Sequence, residues 1–157
     1  MFKIFWGVDK ISGLCYSVSI LKVESEIMGN RAVIQMQGKE VGLYLHNNGG
    51  LDTVQPLLDV AKEYGVRSDD YCIPRLAQMM GNFFGGILNV GISTTDRLDR
   101  DNGDNGTYII DDKFNIVERL YQRGPEQQNH NYEDMKKQLK AVNDQFFFES
   151  PYGDRNW

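Results

Sequence analysis

The chain has 157 residues, of which 41% are apolar and 25% are charged, and its net charge is -5. This length and composition are typical of one ordinary globular domain and exclude a disordered chain. The small acidic excess argues against direct nucleic-acid binding, which needs clustered Lys and Arg side chains.

The cysteines and the apolar segments bear on the cellular compartment. Cys15 and Cys72 are too few for a disulfide framework and are typical of a reducing cytoplasm. No apolar run approaches the roughly 20 residues that span a bilayer, and the N-terminus lacks a signal-peptide pattern. We therefore expect a cytoplasmic protein without a membrane partner. Neither cysteine has the spacing of a metal site, so we assign no metal ion and no cofactor.

The predicted strands are mostly pairs joined by short turns. Apolar and polar residues alternate from Leu14 to Ile20, which is the period of a half-buried strand. Residues 38–40 and 111–113 are suited to the turns of two later pairs. The predicted strands cover residues 2–8, 14–23, 31–37, 41–46, 87–92, 107–110 and 114–121.

Three helices are predicted from apolar residues at spacings of three and four. Asp52 or Thr53 can cap the first helix, Gly65 can end it, and Asn131 can cap the third. The predicted helices cover residues 53–64, 71–84 and 132–147. The sequence therefore predicts an α+β fold, a mostly antiparallel sheet of hairpins with about three helices packed on it.

Two runs of residues combine side-chain amides with paired glycines. Residues 45–50 read Leu-His-Asn-Asn-Gly-Gly, and residues 81–86 read Gly-Asn-Phe-Phe-Gly-Gly. Glycine permits positive φ angles and the close approach of another group to the main chain. We expect these two loops to converge on one site.

Four segments carry a resemblance to a known group of proteins. They are residues 28–34 (Met-Gly-Asn-Arg-Ala-Val-Ile), residues 44–46 with 48–50, residues 75–78 with 81–86, and residues 101–102 with 104–106 and 108–110. Asn47 departs from the pattern, since a Trp is usual there. In these segments the chain resembles small proteins encoded by phages and mobile elements of Gram-positive bacteria. Such accessory genes often counter host defence. The resemblance therefore implies a viral counter-defence protein of the host cytoplasm, which blocks an effector in the anti-CRISPR manner or sequesters a nucleotide signal.

The resemblance also bears on the domain organisation, because it begins at Met28 and covers most of residues 28–147. Residues 1–27 are either an N-terminal extension, with Met28 as the native start, or an extra hairpin of the sheet. Residues 28–157 form a single α+β domain in either case.

His46 and the loop after it are suited to ligand contact. The unperturbed pKa of a histidine lies near neutral pH, but no Ser, Cys or carboxylate partner is identifiable by spacing, so we do not assign catalysis to His46. Residues 46–50 precede a helix N-terminus, where free N–H groups favour anions. The loop is not a P-loop, because Leu51 and Asp52 stand where Lys and Ser or Thr would follow the last glycine.

The second run and the acidic loop supply further predicted contacts. Asn82 can offer an amide edge to a nucleobase, and an aromatic ring can stack on it. Neighbouring helical side chains diverge by about 100°, so we expect one phenylalanine ring in the core and one near the cleft. The residues from Asp101 onward partly match the calcium-binding loop of an EF-hand. Gly103, however, stands at the third position, which needs an oxygen ligand. The predicted ligand-binding residues are His46, Asn48, Gly49, Gly50, Asn82, Phe83, Phe84 and Asp101.

These features favour a non-enzymatic binding protein with no catalytic residue. Its partner is expected to be a nucleotide-like small molecule or a host defence effector protein. One alternative is a nucleotide hydrolase or transferase in which His46 and an aspartate of residues 96–104 act as acid and base. Another is a structural or regulatory phage protein that self-assembles. The sequence leaves the ligand and the oligomeric state open.

Overall fold

The structure is a computed structural model, and it describes residues 30–148 apart from residues 87, 124 and 127. The strands predicted at 2–8 and 14–23 lie outside the described residues, as does the proposed start at Met28. The elements in chain order are β1 (Ala32–Met36), β2 (Val41–Leu45), α1 (Leu51–Glu63), α2 (Cys72–Phe84), β3 (Val90–Thr94), β4 (Thr107–Ile110), β5 (Ile116–Leu120) and α3 (Tyr132–Phe148).

The five strands form one mixed sheet in the order β3-β2-β1-β4-β5. β1 runs parallel to β4, with Val33 opposite Thr107, and the other three neighbouring pairs are antiparallel. The predicted α+β class and the mostly antiparallel sheet are therefore confirmed. The sheet is not a simple series of hairpins, because its central pair is parallel and two helices separate β2 from β3 in the chain.

One face of the sheet, which we call the inner face, shares a core with the three helices, and α3 lies against α1 and α2. Strand side chains two residues apart, such as Ile34 and Met36, point into a core shared with the apolar stripes of the helices. Each fully buried Leu or Ile contributes roughly 1.5–3 kcal/mol of burial free energy. The largest buried side chains include Ile34, Leu43, Leu57, Leu76, Ile110 and Leu139. In the described range, no helix is both long and apolar enough to cross a bilayer.

Capping residues determine where the helices begin and end. The predicted cap of α3 is confirmed, because the Asn131 side chain accepts a hydrogen bond from the Glu133 N–H at 2.9 Å. Gly65 ends α1 with a φ of 65°. The start of α1 differs from the prediction, since Gly50 is its N-cap residue and Asp52 lies inside the first turn.

Two strands begin later than predicted. β3 begins at Val90 rather than at residue 87, because its pairing with β2 starts where Val90 lies opposite Leu45. β5 begins at Ile116 rather than at residue 114. Phe114 has a φ of 60°, which is incompatible with a strand, and its ring is buried.

The connector between β3 and β4, residues 95–106, crosses the opposite face of the sheet. We call this face the outer face and these residues the outer connector. A Cβ built at Gly42 would lie 2.7 Å from the Leu98 Cδ1 atom, so the connector packs directly on β2 there. The half-buried Tyr44 also lies on the outer face, because it alternates with the inner-face residues Leu43 and Leu45.

The thiol of Cys72 gives a first testable prediction. Cys72 is buried at the start of α2, and burial raises the pKa of its thiol to about 11. The thiolate is the reactive form, so little of it exists at pH 8. We expect iodoacetamide at pH 8 to alkylate Cys72 at least about tenfold more slowly in the native protein than in urea. Mass spectrometry of the Cys72 peptide measures both rates, and equal rates would contradict the buried placement.

Candidate functional site

His46 and Tyr44 form a pair of side chains on the outer face of β2. The Tyr44 hydroxyl oxygen lies 3.2 Å from the His46 Nδ1 atom, and the two ring centroids are 6.2 Å apart. Burial raises the pKa of the Tyr44 phenol above its ordinary value, so the hydroxyl keeps its proton at neutral pH. The phenol donates to Nδ1 when the imidazole carries its proton on Nε2. His46 is exposed and can contact a ligand directly.

A groove of about 250 Å³ lies beside this pair, between the outer face of β2 and β3 and the outer connector. Binding sites for small molecules begin at about 300 Å³, so the groove is suited to part of a ligand that extends into solvent. A Cβ built at Gly91 would lie 3.8 Å from the Tyr44 side chain, so Gly91 leaves an open floor beside the ring. The groove is lined by Tyr44, Gly91, Ile92, Ser93, Arg97, Leu98 and Asp99.

Two charged residues of the outer connector line the groove. The Arg97 guanidinium makes no hydrogen bond or ion pair with any residue that the structure describes. The Asp99 carboxylate is 56% exposed, and among the residues that the structure describes it has one ion-pair partner within 4 Å, the Arg31 Nη1 atom at 3.9 Å. That distance is too long for a hydrogen bond. Both charges can therefore take a ligand without breaking a strong internal contact.

Buried asparagines hold the outer connector in shape. The Asn102 side chain donates to the main-chain oxygens of Asp99 and Gly106, and it accepts from the N–H groups of Asp104 and Gly106. Only 3% of Asn102 is exposed. The main chain that carries Asp99 is therefore fixed to the start of β4.

An ion pair fastens the connector to the beginning of β1. The Arg31 Nε atom donates to the Asp104 carboxylate at 2.7 Å, and this hydrogen bond raises the pKa of the Arg31 guanidinium. The side chain of Asn105 donates to the Arg31 main-chain oxygen at 3.1 Å. The groove wall is therefore preorganised by contacts between residues more than seventy positions apart.

The Asn48-Gly49-Gly50 loop passes close to the beginning of β1 on its way to α1. Asn48 has a φ of 54°, and the Gly49 N–H donates to the Asn30 oxygen at 2.6 Å. A Cβ at Gly49 would lie 2.6 Å from the Ala32 Cβ and 2.7 Å from the Ala32 nitrogen. The Tyr108 hydroxyl donates to the Gly49 oxygen at 2.9 Å. These contacts give the loop a structural role, and its contact with a ligand stays a prediction.

The N-terminus of α1 is the position where the sequence predicts contact with an anion. A carboxylate of the protein itself already occupies it. Glu126 accepts from the Leu51 N–H at 3.1 Å and from the Arg119 Nη1 atom at 3.2 Å. The Asp52 carboxylate accepts from the N–H groups of Asn129 and His130 at 2.6 and 2.8 Å. A phosphate at this position would have to displace Glu126, so this helix end is a poor place for the predicted anion contact.

Asn82 and the phenylalanine pair lie in the last turns of α2. Asn82 donates to the Asn143 side chain of α3 at 2.9 Å and accepts from Gln78 at 2.7 Å. Phe83 and Phe84 are both partly buried against the core, instead of one in the core and one outside it. Gly85, with a φ of 63°, ends the helix. A nucleobase contact for these residues stays a prediction.

The predicted site residues fall in different places. Asn89, three residues after the second glycine run, accepts from the His46 N–H at 2.9 Å and from the Asn47 side chain at 2.8 Å. Convergence of the two runs on one site stays a prediction. Asp101 is exposed and forms an ion pair with Arg123 at 2.6 Å. Of the predicted set, His46 lies next to the groove through its hydrogen bond with Tyr44.

Sequence reasoning did not select Tyr44, Arg97 and Asp99 as site residues. A signal for Tyr44 existed, because it alternates with Leu43 and Leu45 and so faces away from the core. Asp99 belongs to the acidic loop, but nothing in its spacing separates it from Asp101. Within the described ranges, no group of three or more His, Cys, Asp or Glu side chains could hold a metal ion.

Comparison with known proteins adds no further information about the site. No protein-family model, no curated protein and no solved structure matches this chain.

Proposed function

We propose that this protein is a binding protein that captures a nucleotide-like small molecule in the groove of the outer face. One observation carries the proposal: a single groove combines the ring of Tyr44, the cation of Arg97, which has no ion-pair partner in the described part of the chain, and the exposed carboxylate of Asp99. Stacking of a base on an aromatic ring is worth roughly 1–3 kcal/mol. An arginine is suited to a phosphate, and a carboxylate to the N–H groups of a base.

The proposed role is counter-defence in the host cytoplasm. A protein that holds a nucleotide signal lowers the free concentration of that signal without any chemical step. The resemblance of residues 28–34 and 81–86 to phage and mobile-element proteins supports this setting. The preorganised wall of the groove supports capture, because a rigid site loses little conformational entropy on binding.

A second proposal, an enzyme that acts on a nucleotide, is favoured by the hydrogen bond between Tyr44 and His46. That contact orients the imidazole, and Nε2 is free to act as a general base in the tautomer whose Nδ1–H donates to the Tyr44 oxygen. Native mass spectrometry of protein purified gently from cells with an active defence system separates the proposals. An unchanged nucleotide released on denaturation supports capture, and an altered nucleotide supports the enzyme. A bare protein that co-purifies with an effector supports effector blocking and overturns capture.

Substitution of the aromatic pair tests the groove directly. We expect Tyr44→Ala to weaken nucleotide binding by roughly tenfold to a hundredfold through lost stacking. We expect His46→Ala to weaken it by about tenfold, since one hydrogen-bonding side chain is lost. Isothermal titration of the purified protein with mononucleotides measures both effects.

The matched control is His130→Ala, because His130 is the other histidine, is not a lining residue of the groove and has no contact with Tyr44. Its main-chain N–H, which donates to Asp52, is retained in the variant. Equal affinities for the His46→Ala and His130→Ala proteins would remove His46 from the site. An unchanged affinity of the Tyr44→Ala protein would overturn the groove as the binding place.

A further inference from the structure

We propose that the groove selects a guanine base, with Asp99 reading its Watson–Crick edge and Arg97 holding a phosphate of the same nucleotide. This inference rests on the proposed function and adds the class of ligand. The two charged side chains line the same groove as the β3 residues Gly91 and Ser93, which form its floor.

Asp99 is the residue that distinguishes between bases. An ionised carboxylate only accepts hydrogen bonds, through two oxygens. Guanine presents two neighbouring donors, N1–H and the N2 amino group, which match these oxygens in a bidentate arrangement. Adenine and cytosine place an unprotonated ring nitrogen next to their amino group, and uracil flanks its single N–H with two carbonyl groups. Each of these three would bring a lone pair against the carboxylate.

The surroundings of Asp99 leave its carboxylate available. Its nearest cation, the Arg31 Nη1 atom, is 3.9 Å away, and Arg31 has a stronger partner in Asp104 at 2.7 Å. The main-chain oxygen of Asp99 is held by Asn102 at 3.2 Å, so the backbone is fixed while the side chain remains 56% exposed. A guanine base can therefore form two charge-assisted hydrogen bonds without breaking an internal one.

Arg97 supplies a positive charge for the phosphate group of the nucleotide. Asp99 alone would repel a phosphate, and the guanidinium two positions earlier in the chain offsets that repulsion. The two side chains form no ion pair with each other, and both line the groove. The guanidinium is therefore available for a bidentate contact with phosphate oxygens.

Isothermal titration of the full chain with GMP, IMP, AMP, CMP and UMP tests the inference. IMP differs from GMP by the missing N2 amino group, so it is the matched ligand. We expect GMP to bind about tenfold or more tightly than IMP, and AMP to bind more weakly still. We expect Asp99→Asn to remove most of the preference for GMP, because the amide offers one acceptor instead of two. Arg97→Gln should weaken all five ligands by a similar factor.

Asp96→Asn is the control, since Asp96 lies on the same connector but does not line the groove. Circular dichroism of each variant checks that the fold is retained. If nucleotides bind without a preference for guanine, or if Asp99→Asn keeps that preference, the inference fails and the proposed function stands. If no mononucleotide binds the wild-type protein, the proposed function itself is overturned.

Discussion

Gly49→Ala is expected to lower the free energy of unfolding by about 3 kcal/mol, the largest effect that we expect from replacing one hydrogen atom by a methyl group. The new methyl group would lie 2.6–2.7 Å from Ala32 and from the main-chain carbon of Arg31. Backbone atoms cannot rotate away as a flexible side chain can, so the loop must move. That movement also weakens the hydrogen bonds from Gly49 to Asn30 and from Tyr108 to Gly49. Urea unfolding followed by far-ultraviolet circular dichroism measures the change.

Gly81→Ala is the matched control for this substitution. Gly81 lies inside α2, and a Cβ built there would meet no described atom within 4 Å apart from its chain neighbours and the adjacent helix backbone. Alanine in a helix interior is more favourable than glycine by roughly 0.5–1 kcal/mol, so this variant should be slightly more stable than the wild type. Similar stabilities of the two variants would show that Gly49 does not pass so close to β1.

Asn102→Ala is expected to lower the free energy of unfolding by about 2–3 kcal/mol and to weaken ligand binding in the groove. The substitution removes the side chain that is hydrogen-bonded to the main-chain groups of Asp99, Asp104 and Gly106. It also releases the segment that carries Asp99, so a loss of affinity should accompany the loss of stability. Thermal unfolding and nucleotide titration of the same variant measure the two effects.

Asn129→Ala is the control for the second substitution. Asn129 is exposed, and its contact with Asp52 uses the main-chain N–H, which alanine retains. We expect its stability to stay within about 0.5 kcal/mol of the wild type. If Asn102→Ala has an equally small effect, the outer connector does not depend on this side chain.

The parts of the fold that depend on neighbouring residues could be predicted from the sequence. The span of α3 follows from its apolar stripe and from the Asn131 cap, which lie within one segment. The adjacent placement of β1 and β2 follows from a short turn between two apolar segments. These features are local, and local hydrogen bonds and periodicity decide them.

The parts that depend on distant residues could not be predicted in this way. The first N–H group of α1, on Leu51, is satisfied by Glu126, which lies 75 positions away. The parallel pairing of β1 with β4 has no counterpart in the sequence pattern of either strand. The groove combines side chains of β2, β3 and the outer connector, so no single motif contains it. The sequence singles out the two glycine runs, of which residues 81–84 lie in α2 rather than in a loop, but not the surface that Tyr44, Arg97 and Asp99 share.

The parallel pairing of β1 with β4 has a consequence for synthesis of the protein. β1 leaves the ribosome early, but β4 follows only after β2, two helices and β3 have been made. One edge of the apolar strand β1 therefore stays unpaired while these elements emerge, and an unpaired strand edge favours aggregation. Contacts between residues so far apart in the chain also slow folding. We expect the joining of β1 to β4 to limit the folding rate.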